Sequence, residues 1–318
     1  MENPLVSVIC LCYNHQRFVR EAVESVFNQS YKNIQIIIAD DASTDNSVLE
    51  IKKLKAEHPS VELLLLPNNL GNCKAFNEAL KLTRGEFIID FATDDLMMPE
   101  RIEKQVAFFK RLDSTVGLIY TDAVYVDEGG KFIRNHFEYL FEKGLITHIP
   151  MGDVYRDVLT TYFIPGPTMM IRREVFAALN GYDETLSYED FDFWVRSSRI
   201  YRYAFLNERL TSIRKLESSM SAGWYVPGDK QLHSTYLICR KAQLLNRDTG
   251  DQQALVTRLR YEYRQSVSSG NHAEAALFYN FLKELNGVRM VERTLRLLDN
   301  ARIPLARLRT VYHKIKYS

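Results

Sequence analysis

Residues 86–95 read EFIIDFATDD and join an apolar strand to the adjacent carboxylates Asp94 and Asp95. Charged groups beside a core must be paired, hydrogen-bonded or metal-bound, because desolvation penalises them. A divalent cation with oxygen ligands, Mg²⁺ or Mn²⁺, satisfies this requirement and commonly brings a phosphate with it. The alternative to a metal site is that these carboxylates cap a helix N-terminus, since a Pro-Glu pair at 99–100 favours a helix start shortly afterwards.

The alternation of apolar strand and helix extends through the first 120 residues. The spacing of apolar residues predicts strands at 5–11, 34–39, 61–66 and 86–90, and helices at 16–28, 47–57, 72–82 and 99–112. Continuous apolar strands, each followed by a helix, are typical of a parallel sheet covered on both faces. Such sheets bind ligands at the carboxyl ends of their strands. Polar residues follow three of the predicted strands at this end. Tyr13 comes after the first strand, Asp41 after the second and Asp94–Asp95 after the fourth.

The pattern changes after residue 116. Residues 116–133 predict two strands around a Gly129–Gly130 turn, and residues 160–227 mix short strands with one helix near 189–200. From residue 228 onward the sequence reads as helical, at 230–247, 252–269, 272–285, 289–298 and 305–316. We therefore expect an α/β domain at 1–227, with halves at 1–120 and 121–227, and an α-helical appendage at 228–318.

Composition is that of a soluble globular protein: of 318 residues, 46% are hydrophobic and 25% charged. Residues 227–318 hold 16 Lys and Arg against 8 Asp and Glu, a net +8, which leaves −7 for residues 1–226. The four cysteines lack metal-type spacing, which favours reduced thiols and a cytoplasmic location. The sequence shows no signal peptide and no apolar run of the ~18 residues that span a bilayer.

Five blocks of sequence carry a resemblance to a known family. They are VSVICLCYNHQRFVREAVESVFNQSY (6–31), IQIIIADDASTDNS (34–47), GNCKAFNEAL (71–80), GEFIIDFATDD (85–95) and YEDFDFWVR (188–196). Their order and spacing resemble a family 2 glycosyltransferase of the GT-A fold, a Rossmann-like, mostly parallel sheet between helices. The resemblance implies a hexosyl- or N-acetylhexosaminyl-transferase that uses a nucleotide-sugar, most often UDP-linked, and inverts the anomeric carbon.

The resemblance also implies a donor site. Tyr13 would stack on the nucleotide base, unless it only packs over the strand end. Asp41 would accept a hydrogen bond from N3 of uracil. Lys74 would lie near the diphosphate or ribose, or else be a solvated surface residue. Asp94 would touch the ribose or sugar, and Asp95 would bind Mn²⁺ or Mg²⁺.

On the acceptor side, Asp190 matches the general base of the family. Such a base takes the proton of the acceptor hydroxyl opposite the leaving group. Glu189 and Asp192 are weaker candidates, because acidic residues at a helix start are also favoured by the helix dipole. Arg214 and Lys215 resemble, weakly, a basic position that closes over the diphosphate.

The expected partners are a nucleotide-sugar donor and a glycan or lipid-linked saccharide acceptor in surface polysaccharide synthesis, with no nucleic acid. The basic tail, 289–318, holds eight Lys and Arg against two acids. Its amphipathic pattern fits peripheral attachment to the inner face of the cytoplasmic membrane. The alternative is a helix docked on its own bundle.

Two other functions compete with this interpretation. A nucleotidyltransferase shares the sheet and the acidic metal site, but it should carry a Gly-rich loop bearing Arg or Lys after the first strand, where this chain has CYNHQRF at 12–18. A catalytically inactive glycan-binding or scaffold protein is the non-enzymatic alternative. The presence together of Asp41, Asp95 and Asp190 argues against a decayed site.

Overall fold

The computed structural model describes residues 3–216 and 225–301, and its first part alternates strands and helices. The elements are β1 (Val6–Cys12), α1 (Val19–Phe27), β2 (Ile34–Asp40), α2 (Ser47–Glu57), β3 (Glu62–Leu65), α3 (Asn72–Leu80), β4 (Phe87–Ala92), β5 (Leu96–Met97) and α4 (Arg101–Phe109). The four strands and four helices expected from the apolar pattern are confirmed. Every residue of β1 is buried, which explains why its sequence is apolar without alternation.

The following part contains β6 (Val116–Val126), β7 (Phe132–Asn135), α5 (His136–Glu142), α6 (Tyr155–Thr160), β8 (Met170–Arg172), α7 (Arg173–Leu179), α8 (Asp190–Ser197) and β9 (Arg202–Arg214). The antiparallel pair β6–β7 and the helix α8 confirm two expectations. The expectation of short strands with one helix at 160–227 was wrong on both counts, because β9 has 13 residues and α7 precedes α8. Strand β9 pairs along β6 with three register shifts, and these interrupt the two-residue period that identifies a strand in sequence.

The sheet has the strand order β3-β2-β1-β4-β8-β6-β9-β5, with β7 paired to β6. Strands β3, β2, β1 and β4 are parallel, whereas β8 joins β4 in antiparallel orientation. In the registers of β1, Cys12 is opposite Asp40 and Leu11 is opposite Ala92. The carboxyl ends of β1, β2 and β4 therefore lie at one level of the sheet edge.

Contacts divide the described chain into two units, one of 3–154 with 163–216 and one of 155–162 with 225–301. The second unit contains α6 and the helices α9 (Gln231–Leu245), α10 (Thr249–Ser269), α11 (His272–Glu284) and α12 (Met290–Asn300). The C-terminal helices are thus confirmed, while the expected helix at 305–316 lies outside the described residues. No described helix combines the length and apolarity needed to cross a membrane.

Candidate active site

Asp95 is held beyond the end of β4 by the last residue of another strand. Its side chain is 3% exposed, and Oδ1 accepts a hydrogen bond from the backbone N–H of Arg214 at 2.8 Å. The Arg214 guanidinium donates to the carbonyl oxygen of Asp94 at 2.9 Å and to Glu21 at 3.0 Å, and its Cζ lies 4.6 Å from the ring centre of Phe18. Arg214 thus forms hydrogen bonds with both Asp94 and Asp95. Its contact with a diphosphate stays a prediction.

The electrostatics of this carboxylate pair suit a divalent cation. Burial and then the negative charge of Asp94 raise the pKa of Asp95 well above its ordinary value. A bound cation would offset both effects. Within residues 3–216 and 225–301, no group of three or more His, Cys, Asp and Glu side chains is placed to hold a metal. Asp94 and Asp95 offer two carboxylates at this position, which suits Mg²⁺ or Mn²⁺ completed by phosphate and water.

Asp41 follows β2 and binds the backbone of the loop that precedes α3. Its side chain is 3% exposed, Oδ1 accepts from the N–H of Leu70 at 2.7 Å, and Oδ2 accepts from the N–H of Gly71 at 2.9 Å. Burial raises the pKa of Asp41, and these two hydrogen bonds oppose the rise. Because each carboxylate oxygen carries two lone pairs, a further donor such as an imide N–H can still bind.

Tyr13 lies on a loop that is tied to the loop after β2. Asn14, in the left-handed region at φ 58°, donates its backbone N–H to Oγ of Ser43 at 2.8 Å and accepts the N–H of Thr44 on Oδ1 at 2.7 Å. Tyr13 itself is 44% exposed. The ring is therefore partly accessible on a braced loop, and its stacking on a base stays a prediction. The bracing role of Asn14 was not among the sequence expectations.

Lys74 lies in the first turn of α3, with an exposed side chain. It forms no ion pair with any residue that the structure describes. Asn77, one turn further along, is buried and bonds the backbone of Tyr182 in both directions, at 2.9 Å each. Lys74 is thus available to an anion, while Asn77 holds α3 in place.

Asp190, the first residue of α8, lies beside two other carboxyl groups. Burial, then the charges of Glu189 and Asp90, raise the pKa of Asp190 well above its ordinary value. Oε2 of Glu189 is buried and has no hydrogen-bond partner among the described residues. Asp90 of β4 accepts from the hydroxyl of Tyr182 at 3.0 Å, and burial followed by Glu189 raises its pKa to about 8. A carboxyl group with such proton affinity is suited to general-base chemistry near neutral pH.

Asp190 and Asp192 differ in what their carboxylates contact. A Cβ built on Gly166 would lie 2.8 Å from Oδ2 of Asp190, so glycine permits the close approach of the backbone to this carboxylate. Asp192 is buried and pairs with Arg196 at 2.6 Å. The structure therefore brings Glu189 and Asp190 together with Asp90, and directs Asp192 into an ion pair within α8.

Tyr125 of β6 is electrostatically linked to both candidate centres. Burial is the main cause that raises its pKa to about 12, and the charges of Asp95, Asp122 and Asp190 add to it. Neither Tyr125 nor Asp90 was a candidate from the sequence. An aspartate inside an otherwise apolar strand was the signal that could have identified Asp90.

Comparison with known proteins gives a match to a family and to several relatives. The profile of Glycosyl transferase family 2 matches residues 7–179. The putative glycosyltransferase EpsE of Bacillus subtilis is 31% identical over 247 residues, which cover 76% of this chain and 84% of EpsE. The chondroitin synthase of Pasteurella multocida is 27% identical over 206 residues, 64% of this chain and 20% of that protein.

Two solved structures share the fold. Residues 1–349 of S. aureus TarS in complex with UDP-GlcNAc superpose with a TM-score of 0.69 and 20% identity, covering 98% of this chain and 91% of that chain. The mannosyltransferase PcManGT from Pyrobaculum calidifontis, in complex with GDP-Man and Mn²⁺, gives a TM-score of 0.59 and 19% identity over 96% of this chain and 87% of that one. The expected GT-A fold with C-terminal helices is confirmed.

Proposed function

The chain belongs to glycosyl transferase family 2 and is a glycosyltransferase, and from that premise we propose that it transfers a hexosyl or N-acetylhexosaminyl group from a UDP-sugar, with a divalent metal and inversion at the anomeric carbon. The observation that carries the proposal is the contrast between two carboxyl groups, one buried and one half-buried. Asp95 is fixed by the backbone of Arg214, whereas Asp190 shares an acidic cluster that raises its proton affinity.

Asp190 acts on the acceptor. A single displacement needs a base that takes the proton of the acceptor hydroxyl on the face opposite the leaving group. The charges of Glu189 and Asp90 favour the protonated form of Asp190, so this carboxylate holds the proton once it has taken it. No covalent nucleophile is needed in this reaction.

The donor side is formed by four residues, Tyr13, Asp41, Asp94 and Lys74. The exposed ring of Tyr13 stacks on the base, and the remaining lone pairs of Asp41 accept the imide N–H of uracil. Asp94 contacts the ribose or sugar, and Lys74 neutralises part of the diphosphate charge. A metal held by Asp95 would supply charge stabilisation to the departing nucleoside diphosphate.

The proposed acceptor is a glycan or a lipid-linked saccharide in polysaccharide synthesis. The chondroitin and hyaluronan synthases of Pasteurella multocida among the relatives support this class. A UDP-linked donor is supported by the neighbour that holds UDP-GlcNAc, whereas another neighbour holds GDP-Man. All four cysteines are buried and unpaired, which supports the proposed cytoplasmic location.

A thermal-shift panel of UDP, GDP and CDP, each with and without Mn²⁺, tests the donor site. We expect UDP with Mn²⁺ to raise Tm most, and Asp95→Asn to abolish the metal-dependent part of the rise. Glu174→Gln, which changes an exposed carboxylate in the first turn of α7, is the matched control. Equal stabilisation by GDP or CDP would contradict the role of Asp41, and an undiminished metal effect in Asp95→Asn would contradict the metal site.

A further inference from the structure

Arg134 and Lys215 are two cations arranged around one aromatic ring. Arg134 on β7 lies directly opposite Tyr125 on β6. Its Cζ is 5.1 Å from the ring centre of Tyr125 and 3.8 Å from that of Tyr139. Lys215, just after β9, places Nζ 4.6 Å from the ring centre of Tyr125. Across residues 3–216 and 225–301, neither cation has a carboxylate partner in an ion pair, although both are partly buried.

A neighbouring arginine shows the arrangement that Arg134 lacks. Arg209 on β9 pairs with Asp122 at 3.0 Å and also with Glu138. Nε of Arg134, in contrast, is buried and has no hydrogen-bond partner in the described part of the chain. A buried donor without an acceptor is unfavourable, and an incoming oxygen acceptor would remove that cost.

The ring beneath these cations is fixed in position. The hydroxyl of Tyr125 lies 3.3 Å from Nδ1 of His136, and Nε2 of His136 lies 2.8 Å from the carbonyl oxygen of Phe163. Because a carbonyl only accepts, Nε2 carries the hydrogen and Nδ1 accepts from Tyr125. Burial lowers the pKa of His136, which favours this neutral form. The cation pair therefore stands on a preorganised platform.

The platform is within electrostatic reach of both candidate centres. Lys215 follows Arg214, whose backbone N–H holds Asp95, and the charges of both Asp95 and Asp190 act on Tyr125. In the proposed function the diphosphate charge is met by the metal at Asp95. Arg134 belongs to the β6–β7 pair, beyond the nucleotide-binding strands, so it is placed to meet a second anion.

We propose that Arg134 and Lys215 bind a phosphate or carboxylate group of the acceptor sugar and so select acceptors that carry an anion near the reacting hydroxyl. This inference rests on the proposed function, in which Asp190 deprotonates that hydroxyl. A guanidinium stacked on aromatic rings presents its N–H groups in one plane, which suits the two oxygens of either anion. The lysine adds a second charge without a fixed geometry.

The test measures sugar binding to the full chain in the presence of UDP and Mn²⁺, by calorimetry. The probes are glucose 6-phosphate, glucuronate and neutral glucose, so the two anionic probes distinguish phosphate from carboxylate. We expect the wild type to bind one anionic probe about ten-fold more tightly than glucose, which corresponds to about 1.4 kcal/mol. Arg134→Gln and Lys215→Gln each remove this preference. Lys131→Gln, an exposed lysine next to β7, is the matched control and retains it.

UDP affinity measured in the same variants separates this proposal from the proposed function. Retained UDP affinity in Arg134→Gln and Lys215→Gln supports an acceptor site and shows that the variants are folded. Loss of UDP affinity with an unchanged preference for the anionic probe assigns the cations to the donor diphosphate and overturns the proposal. Equal binding of all three probes by the wild type also overturns it.

Two further measurements keep the test decisive. Arg134→Lys keeps the charge but not the planar guanidinium. We expect this variant to fold and to lose most of the preference for the anionic probe. It therefore tests the role of Arg134 if Arg134→Gln is unfolded. Absence of UDP binding by the wild type would contradict the proposed function alone. In that case, binding of the anionic probe without nucleotide still tests the cation pair.

Discussion

The charge of Glu189 penalises the ionisation of Asp90 and Asp190, and the charge of Asp90 also penalises that of Asp190. Burial is the first cause of the raised pKa of each, and mutual repulsion adds to it for Asp90 and Asp190. A general base must be ionised before the reaction. The rate of transfer is therefore expected to rise with pH through the raised pKa of Asp190.

Asp190→Asn tests this role directly. We expect the transfer rate to fall about 10²–10⁴-fold, the usual contribution of a general base. The rising limb of the pH–rate profile should disappear, while UDP affinity stays unchanged. Glu174→Gln serves again as the matched control, since it also lies in the first turn of a short helix. An unaltered turnover in Asp190→Asn would remove this residue as the base.

Residues of the candidate site differ in how far the sequence could reveal them. Asp41, Asp95 and Asp190 stand in recognisable blocks at the ends of elements, so their positions were predictable. Asp90 gains its significance from Glu189 on a distant segment, and Arg134 gains its own from Tyr125 on the paired strand β6. Burial and cross-strand proximity of this kind exist only once the strands are paired.

At the scale of elements, the short turn at Gly166–Thr168 and the start of α8 form one unit around Asp190. The backbone of Gly166 approaches the Asp190 carboxylate so closely that a Cβ would lie 2.8 Å from its oxygen. Gly166 has no left-handed φ, so alanine is compatible with the backbone there. The clash falls on the end of a flexible side chain, which can move aside without unfolding the protein.

Gly166→Ala is therefore expected to displace the Asp190 carboxylate while preserving the fold. We predict a loss of at least about ten-fold in kcat, since small displacements of a catalytic group cost up to about 10²-fold. UDP affinity and Tm should change little. Gly129→Ala, whose Cβ would only meet Asp127 at 3.4 Å, is the control. Full activity in Gly166→Ala would show that the position of this carboxylate does not limit the rate.

The periodicity of apolar residues in the sequence predicts some strands and misses others. β1, β2 and β4 are buried on both faces, and their apolar runs were sufficient to predict them. β9 was missed as a long strand because register shifts against β6 break its alternation. That strand nevertheless carries the backbone N–H that fixes Asp95, so the omission concealed part of the site.

At the scale of the whole molecule, charge is distributed unevenly along the chain. Residues 227–318 carry a net +8 and residues 1–226 a net −7. Within the described part of the helical region, α12 exposes apolar side chains, with Met290 at 83% and Leu297 at 70%. Basic residues together with exposed apolar side chains favour an anionic lipid surface.

We expect the full chain to sediment with vesicles that contain anionic lipid and to bind neutral vesicles more weakly. A variant with Arg307→Gln, Arg309→Gln, Lys314→Gln and Lys316→Gln should lose at least about ten-fold in vesicle affinity, because each basic residue near the surface contributes about 1 kcal/mol. The matched control removes four exposed lysines from the −7 region, Lys52→Gln, Lys81→Gln, Lys110→Gln and Lys131→Gln. Equal affinity of the two quadruple variants, or equal binding of the wild type to neutral and anionic vesicles, would favour a basic tail that docks on its own bundle.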